Sequence, residues 1–446
     1  YTHMKMEQPE IVDLADNGNG SGSETNKHID LVSDDQSDSD PSQKTTLEEM
    51  EDFISIKEEE APVNDDIGGD ESMLPEYVPW FRPESLNHSP LVSLHNEILD
   101  FCDLIVPSPE EQELRNRTIE DCKAVILELF PDAEVVVFGS ELTQLALPTS
   151  DIDLAALNVQ EEPKKRHLHR VGAAFKGKGI IDYLEVIDSA RIPIVKLRHK
   201  ESQVHVDISF NQPSGLATGA CVQRFMRKFP PVRPLLLVAK KFLQQRELNE
   251  TYTGGVGSFL LQLMVVSFVQ HHLRAAHRAS RKFQYNLGAL LVDFLELYGK
   301  TFNYINVGLS VRHNGTYFNK RQGGCFNAVR PGLICVENPE ETETDVGRNS
   351  YRVMQVRRVF EHGYNRLVAA LGQATTAAAG PRVGEARSLL AAVIYPDALL
   401  RARAGGGGGP GAFLLDDYAS SSGEEEPGAR GGEEGSEGDE SDGDDG

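Results

Sequence analysis

A Val-rich run at Glu134–Phe138 ends in Gly139-Ser140, and ten residues further on the chain reads Asp151-Ile152-Asp153 at the head of a second apolar run. Asp151 and Asp153 are two apart, so in a strand both carboxylates leave from one face. A third acid, Asp207, lies in Val204–Phe210, where Val204, Val206, Ile208 and Phe210 share a face and His205, Asp207 and Ser209 the other. Three carboxylates, the third on another strand, can hold two divalent cations about 3.5–4 Å apart for nucleotidyl transfer. Mg²⁺, or Mn²⁺, suits oxygen ligands and completes its shell with substrate phosphate. Gly139 allows close backbone approach, and Ser140 offers a hydroxyl and an amide to phosphate oxygens. Asp-x-Asp alone is a common tripeptide that also fits a turn entering a half-buried strand.

The segments around this pattern predict an α+β chain. Leu91, Leu94, Ile98, Phe101 and Leu104 recur at helical spacing, and Ser108, Pro109 and Glu111 form a capping box with Pro at the first helical position. Strands are expected at Glu134–Phe138, Ile152–Leu157, Ile192–Leu197 and Val204–Phe210. Helices follow at Leu235–Arg246, Ser258–His272, Leu287–Tyr298 and Val353–Leu371, with loops and short strands between 300 and 350. The resulting division is a disordered acidic tail (1–76), the first part of a helical central domain (77–107), a catalytic domain with a mixed sheet (108–212), a helical and nucleotide-recognition region (213–371), and a low-complexity Ala/Gly-rich and acidic tail (372–446) in which Ala386–Leu400 could form an isolated helix.

Charge supports that division. The net charge of −25 is concentrated at the ends, −17 over residues 1–73 and −12 over 407–446, which leaves +4 between them. The middle is therefore compatible with a phosphate-rich substrate. The five cysteines form no close C-x-x-C pair and read as reduced thiols of a nuclear or cytosolic protein. No run reaches about 18 apolar residues, so no membrane association is expected.

Gly139-Ser140, Asp151-x-Asp153 and the distant Asp207 resemble the polymerase-beta-type nucleotidyltransferases. The motifs Phe242–Asn249, Thr253–Phe259, Leu263–Phe268, Phe294–Gly299, Phe302–Tyr304 and Asp345–Arg348 with Ser350-Tyr351 resemble more narrowly the nuclear non-canonical poly(A) polymerases, over roughly 75–370. The resemblance implies a polymerase-beta-like domain and a helical domain enclosing a cleft, and template-independent addition of AMP from ATP to RNA 3′ ends. Uridylyl or mixed-nucleotide tailing and a non-catalytic scaffold are the alternatives. It further implies that Asp151, Asp153 and Asp207 hold Mg²⁺, with Asp207 assisting deprotonation of the 3′ hydroxyl. Gly139, Ser140, Lys240 and Ser258 would hold the triphosphate, Phe259 would stack on the base, and 337–348 would read it through Thr344 and Asp345. Asn338 and Thr344 depart from the Glu-Asp-Pro and Asn of close relatives, and a His at the position of Thr344 would mark a uridylyl enzyme. Lys240 and its neighbour Lys241 compete for the inward position.

The implied partners are the RNA 3′ end, a zinc-knuckle RNA-binding protein, an RNA helicase and the nuclear exosome, in the nucleus with the nucleolus as a further compartment. The clusters Arg224–Lys228 and His271–Lys282 are either solvated helix surface or contacts to RNA backbone.

Overall fold

The computed structural model describes residues 77–160, 165–190, 192–279, 285–376 and 387–404. The expected tail at 1–76 and the segment 405–446 lie outside the described residues, so their expected disorder has no structural counterpart here.

The expected apolar stripe forms α1 (Pro90–Ile105), which buries Leu94, Ile98, Phe101 and Ile105 on one side. Trp80 packs its ring edge against Phe101 at 5.4 Å. The next helix, α2 (Pro109–Leu129), starts at the expected capping box: the Glu111 amide donates to Ser108 Oγ and the Ser108 amide donates to Glu111 Oε2. Two orphan donors of the first turn are thereby satisfied.

β1 (Glu134–Phe138) runs into a single short turn of helix, α3 (Gly139–Thr143), and returns as β2 (Ile152–Leu157). α4 (Arg166–Lys178), β3 (Ile181–Ile187), β4 (Ile194–His199) and β5 (His205–Phe210) follow. The five strands form one mixed sheet in the order β1-β2-β5-β4-β3, with β2 and β5 parallel and the other pairs antiparallel. Parallel pairing sets Asp153 directly beside Asp207. β4 begins two residues later than expected, after Pro193, which has no amide hydrogen to give a ladder. The α4–β3 unit was absent from the sequence reading. α2 and α4 cover one face of the sheet, where Ile126, Val171 and Phe175 meet Leu154, Val206 and Ile208.

The helical domain follows: α5 (Ser214–Lys228), α6 (Val232–Gln244), α7 (Ser258–Ala279), α8 (Leu287–Glu296), which continues as a π-helical turn through Thr301, and α9 (Val353–Thr376). Between α8 and α9, β6 (Val307–Ser310), β7 (Thr316–Asn319) and β8 (Cys335–Val336) form a small sheet in the order β7-β6-β8. α1 shares one apolar core with these helices, separate from that of the five-stranded sheet. Among the described residues no helix is long and apolar enough to cross a membrane.

Two expectations are corrected. Residues 387–404, assigned by their composition to the low-complexity tail, are ordered: a 3-10 turn at Leu390–Ala392 and α10 (Ala398–Ala404) bury Leu389, Leu390, Ile394 and Leu400 in the helical core. Alanine content hid the spacing of these larger residues. The segment is clamped to α1 and α2. Buried Glu97 accepts from Ser388 Oγ and from the amides of Leu389 and Leu390, while Arg403 donates to both oxygens of Glu111 and to the carbonyls of Leu104 and Val106. The second correction concerns thiols: Cys325 and Cys335 are joined by a disulfide, with Cα atoms 6.4 Å apart, because the loop after β7 returns to the strand beside β6. Cys102, Cys122 and Cys221 are free and buried.

Glu97→Ala leaves three buried donors without an acceptor. Loss of about 3 kcal/mol of unfolding free energy is expected, since one unsatisfied buried polar group costs roughly 1–3 kcal/mol. An unchanged midpoint in urea denaturation would contradict the clamp.

Candidate active site

The site grows from the chain reversal after β1. Gly139 adopts φ +63°, and a Cβ built there would lie 1.9 Å from Asp153 Oδ2. The glycine is therefore required twice, for its left-handed backbone and for the carboxylate lying against it. Ser140 follows in α3. Thr143 Oγ1 donates to the Gly139 carbonyl, which ties the turn to itself.

A buried guanidinium fixes this turn to the acids. Arg115 of α2 is 2% exposed at its side chain and pairs with Glu141 at 2.8 Å. It also donates to the carbonyls of Ser150 and Asp151. Gln112 donates to the other Glu141 oxygen at 2.6 Å. The turn carrying Ser140 and the loop carrying Asp151 are thus held by one side chain. Sequence reasoning missed Arg115, which is a single charge in a polar helix.

Lys196 of β4 was missed as well. Its ammonium sits 3.0 Å from Asp151 Oδ2 and 3.5 Å from Asp207 Oδ1. It is the register partner of Asp207 on β5, so the antiparallel β4–β5 pair delivers a cation to the acids just as the parallel β2–β5 pair delivers Asp153. Burial, then the charges of Asp207 and Asp151, push the Asp153 carboxyl up to about 7, against the pull of Lys240 and Lys196. Asp207 is pushed up to about 6, by burial first, with Lys196 opposing and Asp151 adding to the shift.

Lys240 is turned away from its neighbour Lys241. Its Nζ crosses from α6 to the Leu145 carbonyl and Ser150 Oγ, at 3.1 and 3.3 Å. Burial lowers it to about 8, while Asp153 and Glu250 favour its charge. Lys241 points the other way, from a buried position into a pair with half-buried Asp397 at 2.6 Å. Gln244, one turn beyond Lys240, donates to Thr149 Oγ1.

The remaining expected residues lie on separate elements. Ser258 is the exposed first residue of α7, and Phe259 is half-buried against the helical core. In 337–348, Thr344 Oγ1 donates to Glu341 Oε2, and the Thr344 carbonyl accepts from the Asn338 amide. Asp345 Oδ1 accepts from the amides of Val336 and Gly347. Asp345 thus shapes the loop.

The acids present concentrated negative charge, and Asp207 Oδ1 is buried with the Lys196 ammonium 3.5 Å away. Among the described residues no group of three His, Cys, Asp or Glu side chains is placed to hold a metal ion by itself. An incomplete set fits the chemistry, because Mg²⁺ in nucleotide sites is held by one or two carboxylates and takes its other ligands from phosphate and water. The donors are hard oxygens, as such a cation requires.

Comparison with known proteins finds relatives of this chain in sequence and in fold. Residues 94–226 match the family model described as poly(A) RNA polymerase, mitochondrial-like, central palm domain, and 286–344 match that of Cid1 family poly A polymerase. Poly(A) RNA polymerase cid14 of Schizosaccharomyces pombe is 37% identical over 295 residues, covering 66% of this chain and 43% of its own length. The inactive non-canonical poly(A) RNA polymerase protein Trf4-2 of Drosophila melanogaster is 34% identical over 320 residues, covering 68% of this chain and 76% of its own. The solved polymerase core of TRAMP, an RNA surveillance complex, superposes with a TM-score of 0.63 at 30% identity, over 72% of this chain and 99% of that one. The chain spans half or less of the length of the first three curated relatives it matches.

Gly139→Ala is expected to destabilise the fold by at least about 1–2 kcal/mol from the left-handed backbone alone, with the Asp153 contact adding to it. Thermal unfolding measures this, and a midpoint equal to that of the unsubstituted chain would contradict the packing described.

Proposed function

The chain belongs to the Trf4/Cid14-like non-canonical poly(A) polymerases of the polymerase-beta nucleotidyltransferase superfamily, and from that premise we propose that it adds AMP from ATP to RNA 3′ ends without a template. The observation that carries the proposal is the register pairing of Asp153 with Asp207 beside Asp151, next to a glycine turn that no side chain could replace.

Asp151, Asp153 and Asp207 would hold Mg²⁺, which when bound neutralises the triphosphate and lowers the pKa of the attacking hydroxyl. Ser140 offers its amide and hydroxyl to the terminal phosphates, backed by the turn that Arg115 and Glu141 hold in place. Lys240 supplies a cation from the helical domain, and Ser258 a hydroxyl. Lys240 reaches across to the sheet domain, so a nucleotide bound by it and by the acids is oriented between the two. Phe259 stacks on the base, and the loop bearing Asn338, Thr344 and Asp345 borders its edge. Asp207 takes the proton of the 3′ hydroxyl as the bond to the α-phosphorus forms and pyrophosphate leaves.

The likeness to the core of an RNA surveillance complex supports a nuclear role beside a zinc-knuckle RNA-binding protein, a helicase and the exosome. One relative is named inactive, which gives the scaffold reading a specific basis. The three acids of this chain and the lysines around them favour catalysis over it.

With Mg²⁺, ATP, an unstructured RNA and the zinc-knuckle partner, the chain is expected to extend the 3′ end and Asp151→Ala is not. Equal extension by the two would remove the metal assignment, and absence of extension by the unsubstituted chain would favour the scaffold. Supplying each nucleotide separately tests base choice: preferential use of UTP would overturn the adenylate reading. Lys240→Met is expected to lower kcat/KM for ATP about 100-fold, the scale for removing one preorganised transition-state donor.

A further inference from the structure

The two sides of α5 touch the two ends of the proposed nucleotide site. On one side Gly215, Gly219 and Gln223 recur at the spacing of a helical turn. A Cβ at Gly215 would lie 2.5 Å from the Phe138 ring, and one at Gly219 would lie 2.6 Å from Leu142 Cδ2. Gln223 Nε2 donates to the Leu142 carbonyl at 2.6 Å. α5 is thereby seated against the end of β1 and against α3, the turn that presents Ser140.

Arg224 leaves from the opposite side of the helix, and its guanidinium pairs with Glu340 Oε1 at 2.9 Å. Cys221, buried on that same side, hydrogen-bonds with both members of the pair. Burial first, and then the Glu340 carboxylate, pushes the Cys221 thiol up to about 11, so it stays neutral beside them.

Glu340 belongs to the loop that follows β8. That loop is anchored at its ends: the Glu337 amide donates to the Leu309 carbonyl, and Asp345 accepts from the amides of Val336 and Gly347. Between these anchors the chain closes on itself, with the Glu340 amide donating to Asn338 Oδ1 and the Thr344 amide to the Glu341 carbonyl. Among the described residues, the polar contacts that reach 338–344 from another element are those of Arg224 and Cys221 with Glu340. Phe225, Val311 and Pro339 line a cavity of about 400 Å³ beside this contact, which is space for an untethered loop to shift.

We infer that Arg224 is a positioning residue for base choice, because through Glu340 it sets the loop against the same helix that backs the phosphate turn. The inference rests on 337–348 bordering the base, as proposed above. Both ends of a bound nucleotide are then gauged from one rigid element. A purine and a pyrimidine carry their polar edges at different distances from the same triphosphate, so a fixed spacing favours one of them.

The test is equilibrium binding of ATP and of UTP, each with Mg²⁺ and without RNA. It compares the full chain with Arg224→Gln, Glu340→Gln, the two combined, and the exchanged pair Arg224→Glu/Glu340→Arg. Each single substitution should reduce the preference between the two nucleotides about threefold, within the range of an exposed ion pair. The combined substitution should do no more than either alone, and the exchanged pair should restore the preference. An unchanged preference in Arg224→Gln would overturn the inference. Equal loss of ATP and UTP would do so too, since that is a weakened hold on the triphosphate, as would losses that add in the combined substitution. A chain that extends RNA but gives these results keeps its proposed activity and loses the tether, whereas one that shifts its preference as expected but extends nothing loses the activity alone.

Discussion

The site depends first on the Arg115–Glu141 ion pair. Both side chains are nearly sealed from water, at 2% and 9% exposure, and breaking a buried pair from one side costs roughly 3–5 kcal/mol. The remaining donors of Arg115 are spent on the carbonyls of Ser150 and Asp151. One cation therefore fixes three things together: the long helix under the sheet, the turn that presents Ser140, and the start of the strand that presents Asp151 and Asp153. The close approach of Gly139 to Asp153 lies within that frame.

Around this frame the charges are arranged in opposition. Three aspartates would repel one another at the sheet end, and Lys196 lies between two of them, while Lys240 approaches from the helical side with its own charge disfavoured by burial. Two acids held above their usual range and a lysine held below its own form a site whose charged states are mutually dependent. A ligand that brings both positive and negative charge, as a cation–triphosphate complex does, relieves both sides at once. Because Lys240 belongs to the helical domain and the acids to the sheet, such a ligand also favours keeping the two together.

Much of this was legible in residue order, for identifiable reasons. The capping box of α2, the stripe of α1 and the acid pattern on β2 and β5 appear because local periodicity or short spacing encodes them. β3 was not legible: it is an edge strand with side chains exposed on both faces, so its alternation is blurred, and α4 shows many cations and few large apolar residues. Arg115 and Lys196 act through partners far along the chain, at Glu141 and Asp151, and nothing local distinguishes them from solvated charges. The inward choice of Lys240 over Lys241 likewise required knowing that Asp397, more than 150 residues later, takes the second lysine. The Cys325–Cys335 pairing followed from strand order in the small sheet, which short apolar runs do not specify.

The clamp of 387–404 onto α1 has a consequence for how the chain comes to exist. The sheet domain is continuous in sequence and has its own core, so it can fold while the ribosome is still at work. The helical domain opens with α1 and is finished only when Ser388, Leu389 and Leu390 reach Glu97. Synthesis must pass residue 390 before the wall carrying Lys240 is sealed. A ribosome-bound nascent chain can thus present its carboxylates early, yet it has no finished wall to set against them.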